Sequence, residues 1–335
     1  MKHLAFTRFA FVASVLCVSD APQNQASEDA QEDTDNRLVG EDLAAFQLVR
    51  HSGGGLPVLI GAPHGGRFYS ESVRKDMRGG AATRARLEDR HIDTLAQAVA
   101  QASGADCLIA QAPRAMIDLN RASDDIDWTM IAGASARPTP RHSLANRRAR
   151  SGLGLIPRRL PGLGEIWKQP LPQAELDRRI AAIHRPYHAA LSAALEQIRD
   201  RWGTALLVDL HSMPPLRKRF PDEEPADIVV GDRFGVSCDP LLSAYALSYF
   251  AEADRRAAHN RPYSGGYILD CHAAPGRGIH AIQIELCRSL YLDAQLDRPS
   301  VRLGAIVRMV TGLIRGFAQR MQDLSSHHAP PLAAE

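Results

Sequence analysis

Apolar residues in this chain fall into short runs separated by longer stretches of helical spacing. Ala205-Leu206-Leu207-Val208 and Pro57-Val58-Leu59-Ile60 are compact, uninterrupted apolar runs, the pattern of strands covered on both faces. Cys107-Leu108-Ile109-Ala110, Ala226 to Val230 and Ala281 to Leu286 read the same way, and shorter strands are predicted over Ala115 to Leu119 and Gly265 to Leu269. Between them, Arg86 to Ala102 sets Leu87, Ile92, Leu95 and Val99 near one helical face. Gln173 to Trp202 predicts a long helix interrupted around Arg185-Pro186, because proline lacks the amide a helix interior needs. Further helices are predicted from Pro240 to about Asp254 and from Val301 to Met321, the latter with a core-packing stripe through Ile306, Val310, Leu313, Ile314 and Phe317. Alternating strands and helices predict one α/β domain, a single mixed sheet flanked by helices.

Residues 22 to 38 are polar and acidic and read as a solvated linker. The expected organisation is a leader or disordered extension over 1–42, a catalytic domain over 43–325 and a flexible tail over 326–335. Lys2 and Arg8 precede an apolar run from Phe9 to Val18, which resembles a short signal peptide. A disordered extension or an upstream start codon are the other readings. A cytoplasmic protein is expected, with export the alternative. Residues 122 to 172, rich in Arg, Gly and Pro, lack periodicity and predict a loop excursion near the site.

Composition narrows the function classes. Of 335 residues, 45% are hydrophobic and 23% charged, as in an ordinary soluble protein, and the net charge of +2 gives no reason to expect nucleic acid or membrane as partner. Any attraction for an anionic substrate must therefore be local. Five scattered cysteines include no C-x-x-C pair, which argues against a disulfide framework or a thiolate zinc site and for small buried residues. Neither a P-loop nor a G-x-S-x-G elbow is present.

The chemistry concentrates at strand ends. Val208-Asp209-Leu210-His211-Ser212 delivers a histidine before Met213-Pro214-Pro215 stops the strand, and Asp209, two residues earlier, leaves from the same face. Ala62-Pro63-His64-Gly65-Gly66 repeats the arrangement. In open α/β sheets ligands bind beyond the carboxyl ends of strands, so His64 and His211 are the leading metal-ligand candidates. A catalytic zinc needs a third ligand, which Glu88 or Asp89 can supply. Glu285, deep in an apolar strand with Gln283 on the same face, is costly to bury unless paired or employed, and is the best general-base candidate. The Arg114 to Arg121 stretch offers Asn120 and Arg121 for a substrate carboxylate.

Nine ordered blocks carry a family resemblance: Ala62 to Gly66, Glu88-Asp89, Pro113 to Arg121, Arg150 to Pro157, Arg185 to His188, Asp209 to Pro214, Asp227 to Cys238, Pro262 to Tyr267, and His280 to Asp293. Over about residues 45 to 295 the chain resembles the N-formylglutamate amidohydrolases. That resemblance implies a phosphorylase/hydrolase-like fold related to the zinc carboxypeptidases and one Zn2+ held by His64, Asp89 and His211, with Glu88 the alternative third ligand. It implies that Glu285 activates water, Arg114 polarises the scissile carbonyl, and Asn120 and Arg121 grip a carboxylate. The expected substrate is a small acidic N-acyl amino acid, most simply N-formyl-L-glutamate. Another N-acyl amino acid or small peptide, or a non-catalytic acidic-ligand binder, are the alternatives. Gly65 stands where the family often has serine.

Overall fold

The computed structural model describes residues 15–17, 44–51, 55–133, 147–218, 222 and 224–328. Most of the expected leader over 1–42, with most of its apolar run, and the last seven residues of the expected flexible tail lie outside the described residues.

Eight strands form one mixed sheet: β1 (Val15–Cys17), β2 (Phe46–Arg50), β3 (Val58–Ala62), β4 (Asp106–Ala110), β5 (Ala205–Met213), β6 (Ile228–Gly231), β7 (Ala257–His259) and β8 (Ile279–Cys287). Their spatial order is β1-β2-β4-β3-β5-β8-β6-β7. The centre, β4-β3-β5-β8, is parallel, while β2 and β6 join it antiparallel. A mixed α/β sheet flanked by helices is thus the observed architecture, as the alternating pattern predicts.

Two apolar cores sandwich this sheet. On one side Ile60, Val208, Leu210, Ile282 and Ile284 pack against the helix α2 (Ile92–Ser103), the later α5 (Pro240–Glu252) and the terminal α7 (Leu303–His328). On the other side Leu59, Ala205, Leu207, Ile279 and Ala281 pack against α4 (Arg185–Trp202) through Tyr187, Leu191 and Leu195. Alternation along each strand assigns successive residues to opposite cores.

Three segments depart from their predicted form. The helix expected from Arg86 to Ala102 is two, α1 (Gly80–Leu87) and α2, because His91 adopts a left-handed φ of 56° between them. The Asp89 amide then turns to the His64 carbonyl at 3.4 Å, rather than continuing the helix. Ala115 to Leu119 forms successive turns, not a strand: Met116 N donates to Pro113 O at 2.8 Å and Asp118 N to Leu155 O at 2.7 Å. Gly265 to Leu269 leads into a short helix, α6 (Tyr267–His272), because Asn120 Oδ1 accepts the Ile268 amide at 2.9 Å and fixes its first turn.

The interruption at Arg185-Pro186 is milder than a break. Helix α3 (Gln173–Arg179) widens into a π-helical turn over Ile180–His184 and continues as α4. A turn closed by i→i+5 bonds accommodates the missing proline amide without ending the helix. The excursion after residue 122 is anchored by two short sheets, Ile131–Ala132 with Leu171–Pro172 and Arg159–Leu160 with Gly164–Glu165. The terminal helix continues to His328, past the predicted end at Met321.

Candidate active site

Parallel pairing brings the chemistry together. His64 follows β3, while His211 and Glu285 sit near the carboxyl ends of the adjoining β5 and β8. Glu285 is the register partner of His211, and Gln283 that of Asp209. On this face each central strand is apolar in its first half and polar in its last: Ala205, Leu207, Asp209, His211 on β5, and Ile279, Ala281, Gln283, Glu285 on β8. Gly66 permits the next piece. A side chain there would stand 2.2 Å from the Ala112 carbonyl oxygen, so only glycine lets the chain entering the 113–121 turns run beside the His64 loop.

His64, Asp89 and His211 are all buried, and one ligand atom from each lies within 4.8 Å of the others. Both histidines present Nδ1 to the Asp89 carboxylate, at 3.7 Å from Oδ2 for His64 and 3.0 Å for His211. Both direct Nε2 to a further carboxylate: His64 to Asp118 Oδ1 at 2.7 Å, His211 to Asp209 Oδ2 at 2.9 Å. A carboxylate behind a histidine fixes the tautomer in which Nε2 carries the proton and Nδ1 keeps its lone pair for a metal. His64 Nδ1 is buried with no hydrogen-bond partner, as a nitrogen reserved for a cation would be.

The charges point the same way. Four carboxylates, Asp89, Asp118, Asp209 and Glu285, are buried within this region. Burial alone would raise Asp89, but the His211 and His64 contacts hold it well below the usual carboxylate range. Burial would likewise raise Asp118, which the charges of Arg114, His64 and Arg121 hold well down. His211, which burial would lower, is instead raised well above the ordinary imidazole value, first by Asp209. Burial pushes Glu285 up to about 7, with Asp89 and Asp209 adding to the rise and His211 and Arg114 opposing it. A divalent cation among these groups would relieve that excess of negative charge. Two imidazoles and one carboxylate form the donor set of a catalytic zinc, and the residues present fit that ion.

Glu88 belongs to a different cluster. Its carboxylate accepts from Arg90 Nη1 at 2.7 Å, and its charge, after burial, raises the pKa of the Tyr69 hydroxyl. Of the two acidic residues left open by spacing, Asp89 is the one beside the histidines. Arg288, buried, anchors this corner: it donates to the Glu88 carbonyl, to Ser212 Oγ at 3.2 Å and toward Asp89 Oδ1 at 3.5 Å.

These groups open onto a cavity of about 710 Å³ that also takes in Arg114, Asn120, Arg121, Tyr263 and Glu285. Six arginines (Arg86, Arg114, Arg121, Arg148, Arg233, Arg288) face four carboxylates in its wall, so the cavity favours an anion although the whole chain is near neutral. The excursion returns Arg148, Leu153 and Leu160 to this wall, as a loop near the site should. Arg114 Nε donates to Asp118 Oδ2 at 2.9 Å; burial would lower its pKa, but Asp118, Asp89 and Glu285 raise it, so it stays cationic. Asn120 Oδ1 is engaged with the Ile268 amide, and its Nδ2 lies 3.5 Å from His211 Nε2. Arg121 is tied by Nε to Leu153 O at 3.0 Å and by Nη1 to Asn120 O at 2.9 Å.

Sequence reasoning missed the supporting carboxylate of Asp118 and the role of Arg288. Asp118 had a readable signal, since a carboxylate between Ile117 and Leu119 carries the same burial cost that singled out Glu285. Arg288 had none. The cysteines are divided: Cys107, Cys238 and Cys287 are buried as expected, but Cys271 is exposed.

Comparison with known proteins fits this geometry. The family model for N-formylglutamate amidohydrolase matches residues 56–292. The chain belongs to that family. It is therefore a hydrolase of a linear amide carbon–nitrogen bond. An N-formylglutamate deformylase of Pseudomonas putida is 33% identical over 246 residues, which cover 72% of this chain and 83% of that one. A second, from Pseudomonas aeruginosa, is 31% identical over 255 residues, covering 74% and 87%. The crystal structure of N-formylglutamate amidohydrolase from Ralstonia eutropha JMP134 superposes with a TM-score of 0.73 at 33% identity, covering 84% of this chain and 99% of that one. A gene product of Agrobacterium tumefaciens shares the fold, with a TM-score of 0.61 at 17% identity.

Proposed function

We propose that this family member hydrolyses N-formyl-L-glutamate to formate and L-glutamate, with one zinc ion held by His64, Asp89 and His211. The observation carrying this reading is the paired presentation of two carboxylate-backed histidines to Asp89 at the floor of an arginine-rich cavity. The ion, when bound, supplies Lewis acidity to the formyl carbonyl and lowers the pKa of water toward ~7. Glu285 takes the proton of the attacking water and passes it to the departing nitrogen, a task suited to a carboxylate that burial has raised to about 7. Arg114, held by Asp118, faces the charge that develops on the carbonyl oxygen. Asn120 and Arg121 hold a substrate carboxylate, with their own loop pinned by Leu153 and Ile268.

The test pairs metal analysis with substrate comparison. Purified protein should carry about one zinc per chain, and formate release should be fastest from N-formyl-L-glutamate. N-formyl-L-glutamine, which replaces the side-chain carboxylate by an amide, should lose at least ~10-fold in kcat/KM, about the 1.4 kcal/mol of one charge-assisted contact. Equal rates on the two would remove acidic specificity, and an active protein free of divalent metal would remove the zinc.

A further inference from the structure

A second cluster of metal-ligating side chains lies outside the cavity wall. It joins the fourth residue of α4, His188, to the last two residues of α6, Cys271 and His272. One ligand atom from each lies within 4.8 Å of the others. His188 Nε2 donates to the Leu119 carbonyl at 3.1 Å, since a carbonyl oxygen can only accept. That bond assigns the proton to Nε2 and leaves the Nδ1 lone pair directed at His272 Nε2, 2.9 Å away. The two rings are nearly parallel, 8° apart in plane, with centroids at 5.2 Å. Both imidazoles are buried, while Cys271 is exposed, so the cluster has a dry floor and a wet thiol rim.

We propose that His188 Nδ1, His272 Nε2 and the Cys271 thiolate form a second metal site, for a thiophilic divalent cation of the zinc class. The inference does not rest on the proposed substrate or on the first site, with which it shares no ligand.

Two nitrogens and one sulfur form a borderline-soft set that selects zinc-like ions over magnesium or calcium. Two nitrogens each ~2.0–2.1 Å from a tetrahedral ion stand about 3.3 Å apart, so the His188–His272 pair needs to open by only about 0.4 Å. Binding releases the Cys271 thiol proton to solvent, and the proton that His272 Nε2 donates to His188 Nδ1 moves to Nδ1 of the same ring, which frees Nε2 as a ligand. Burial pushes His188 down to about 2, with His184 and His272 adding to it, and His272 to about 4 against the opposing charge of Asp209, so both are neutral and need lose no net charge to bind. Solvent at the Cys271 side supplies the fourth position. Tyr267, whose ring lies 5.2 Å from that of His188, closes the other side.

Such an ion would stand behind the carboxylate grip. His188 holds the carbonyl of Leu119, next to Asn120, and Asn120 in turn holds the first turn of α6. Coordination closes that circuit by joining α4 directly to α6.

The test is titration of the zinc-loaded full chain with Cd2+, followed by ultraviolet absorption of the thiolate-to-metal charge-transfer band. One further equivalent should bind with the band. Cys271→Ser, an exposed and conservative change, should abolish the band and weaken the second equivalent by at least the ~100-fold that marks the upper range for altering a ligand's partner. Cys17→Ser should leave both unchanged, and His64→Ala should lower first-site occupancy while retaining the band. A band or second equivalent that survives in Cys271→Ser, or no band in the parent protein, overturns the site. Loss of the first zinc alone bears only on the deformylase reading.

Discussion

The two faces of β5 teach different lessons from one strand. Leu206, Val208 and Leu210 point into a continuous apolar core and have no chemistry. Ala205 and Leu207 start the opposite face in the same manner, but Asp209 and His211 finish it with a buried acid and a buried base. Every one of these residues is almost wholly excluded from solvent. Burial therefore does not distinguish core from site here. What distinguishes them is partnership: one face is satisfied by dispersion and transfer from water, the other only by charges and hydrogen bonds that converge on Asp89. The same division runs along β8, where Ala281 gives way to Gln283 and Glu285.

Removing a proposed ligand breaks the polar side at its centre. His64→Ala leaves Asp118 still paired with Arg114 at 2.9 Å, so the fold should persist. Metal content should fall to a small fraction and kcat/KM by at least ~10³-fold, the several kcal/mol attributed to metal polarisation. Inductively coupled plasma analysis beside a formate assay checks it, and full activity with full zinc would return His64 to a structural role.

A smaller effect separates base from ligand. Glu285→Gln should keep zinc and lower kcat by ~10²–10⁴-fold, with KM little changed. As the proposed base Glu285 must be ionised, and burial raises its pKa to about 7, so activity should fall as pH drops through that region; a bound cation favours the ionised form and moves the limb downward. The acid limb of the kcat profile should flatten in the variant. Retention of the same limb would assign it to another group, and loss of zinc would make Glu285 a ligand.

The apolar face supplies the opposite signature. Leu206→Ala, on the side away from the carboxylates, should cost ~2–5 kcal/mol of stability and lower Tm by several degrees. Its kcat at 25 °C should stay within about twofold of the parent. A large kcat loss in a fully folded variant would mean that the two faces are not independent.

Much of this was readable from residue order because strand patterns are local. Apolar runs ending in His64 and His211, and a carboxylate buried in the strand of Glu285, mark three strand segments without any knowledge of the fold; that they are neighbours is seen only in the sheet. What could not be read depends on distant partners. Asp89 leaves its helix because His91 turns left-handed and the His64 carbonyl receives its amide. The 115–119 turns exist because Leu155, far along the chain, accepts the Asp118 amide, and α6 is helical where its glycines suggest a strand because Asn120 seeds it. Gly266 shows how close that contact is: a side chain there would stand 2.5 Å from Asn120 Oδ1. Local propensity has no access to such long-range side-chain to backbone bonds.

The widened turn at Ile180–His184 acts as a phase adjuster. Successive residues of an α-helix are rotated by about 100° about its axis, so a wider turn resets the direction in which all later side chains point. Before it, Arg179 reaches the Met116 carbonyl at 2.9 Å and Glu175 at 2.7 Å. From its last residue onward, His184 and His188, four residues apart, hold the carbonyls of Arg121 and Leu119 at 2.9 and 3.1 Å. One continuous rod thereby serves two sets of neighbours whose directions an unbroken helix would not match. Deleting a single residue from this turn would hardly shorten the rod, but it would swing both imidazoles off the loop that carries Asn120 and Arg121. For this helix, angle matters more than length.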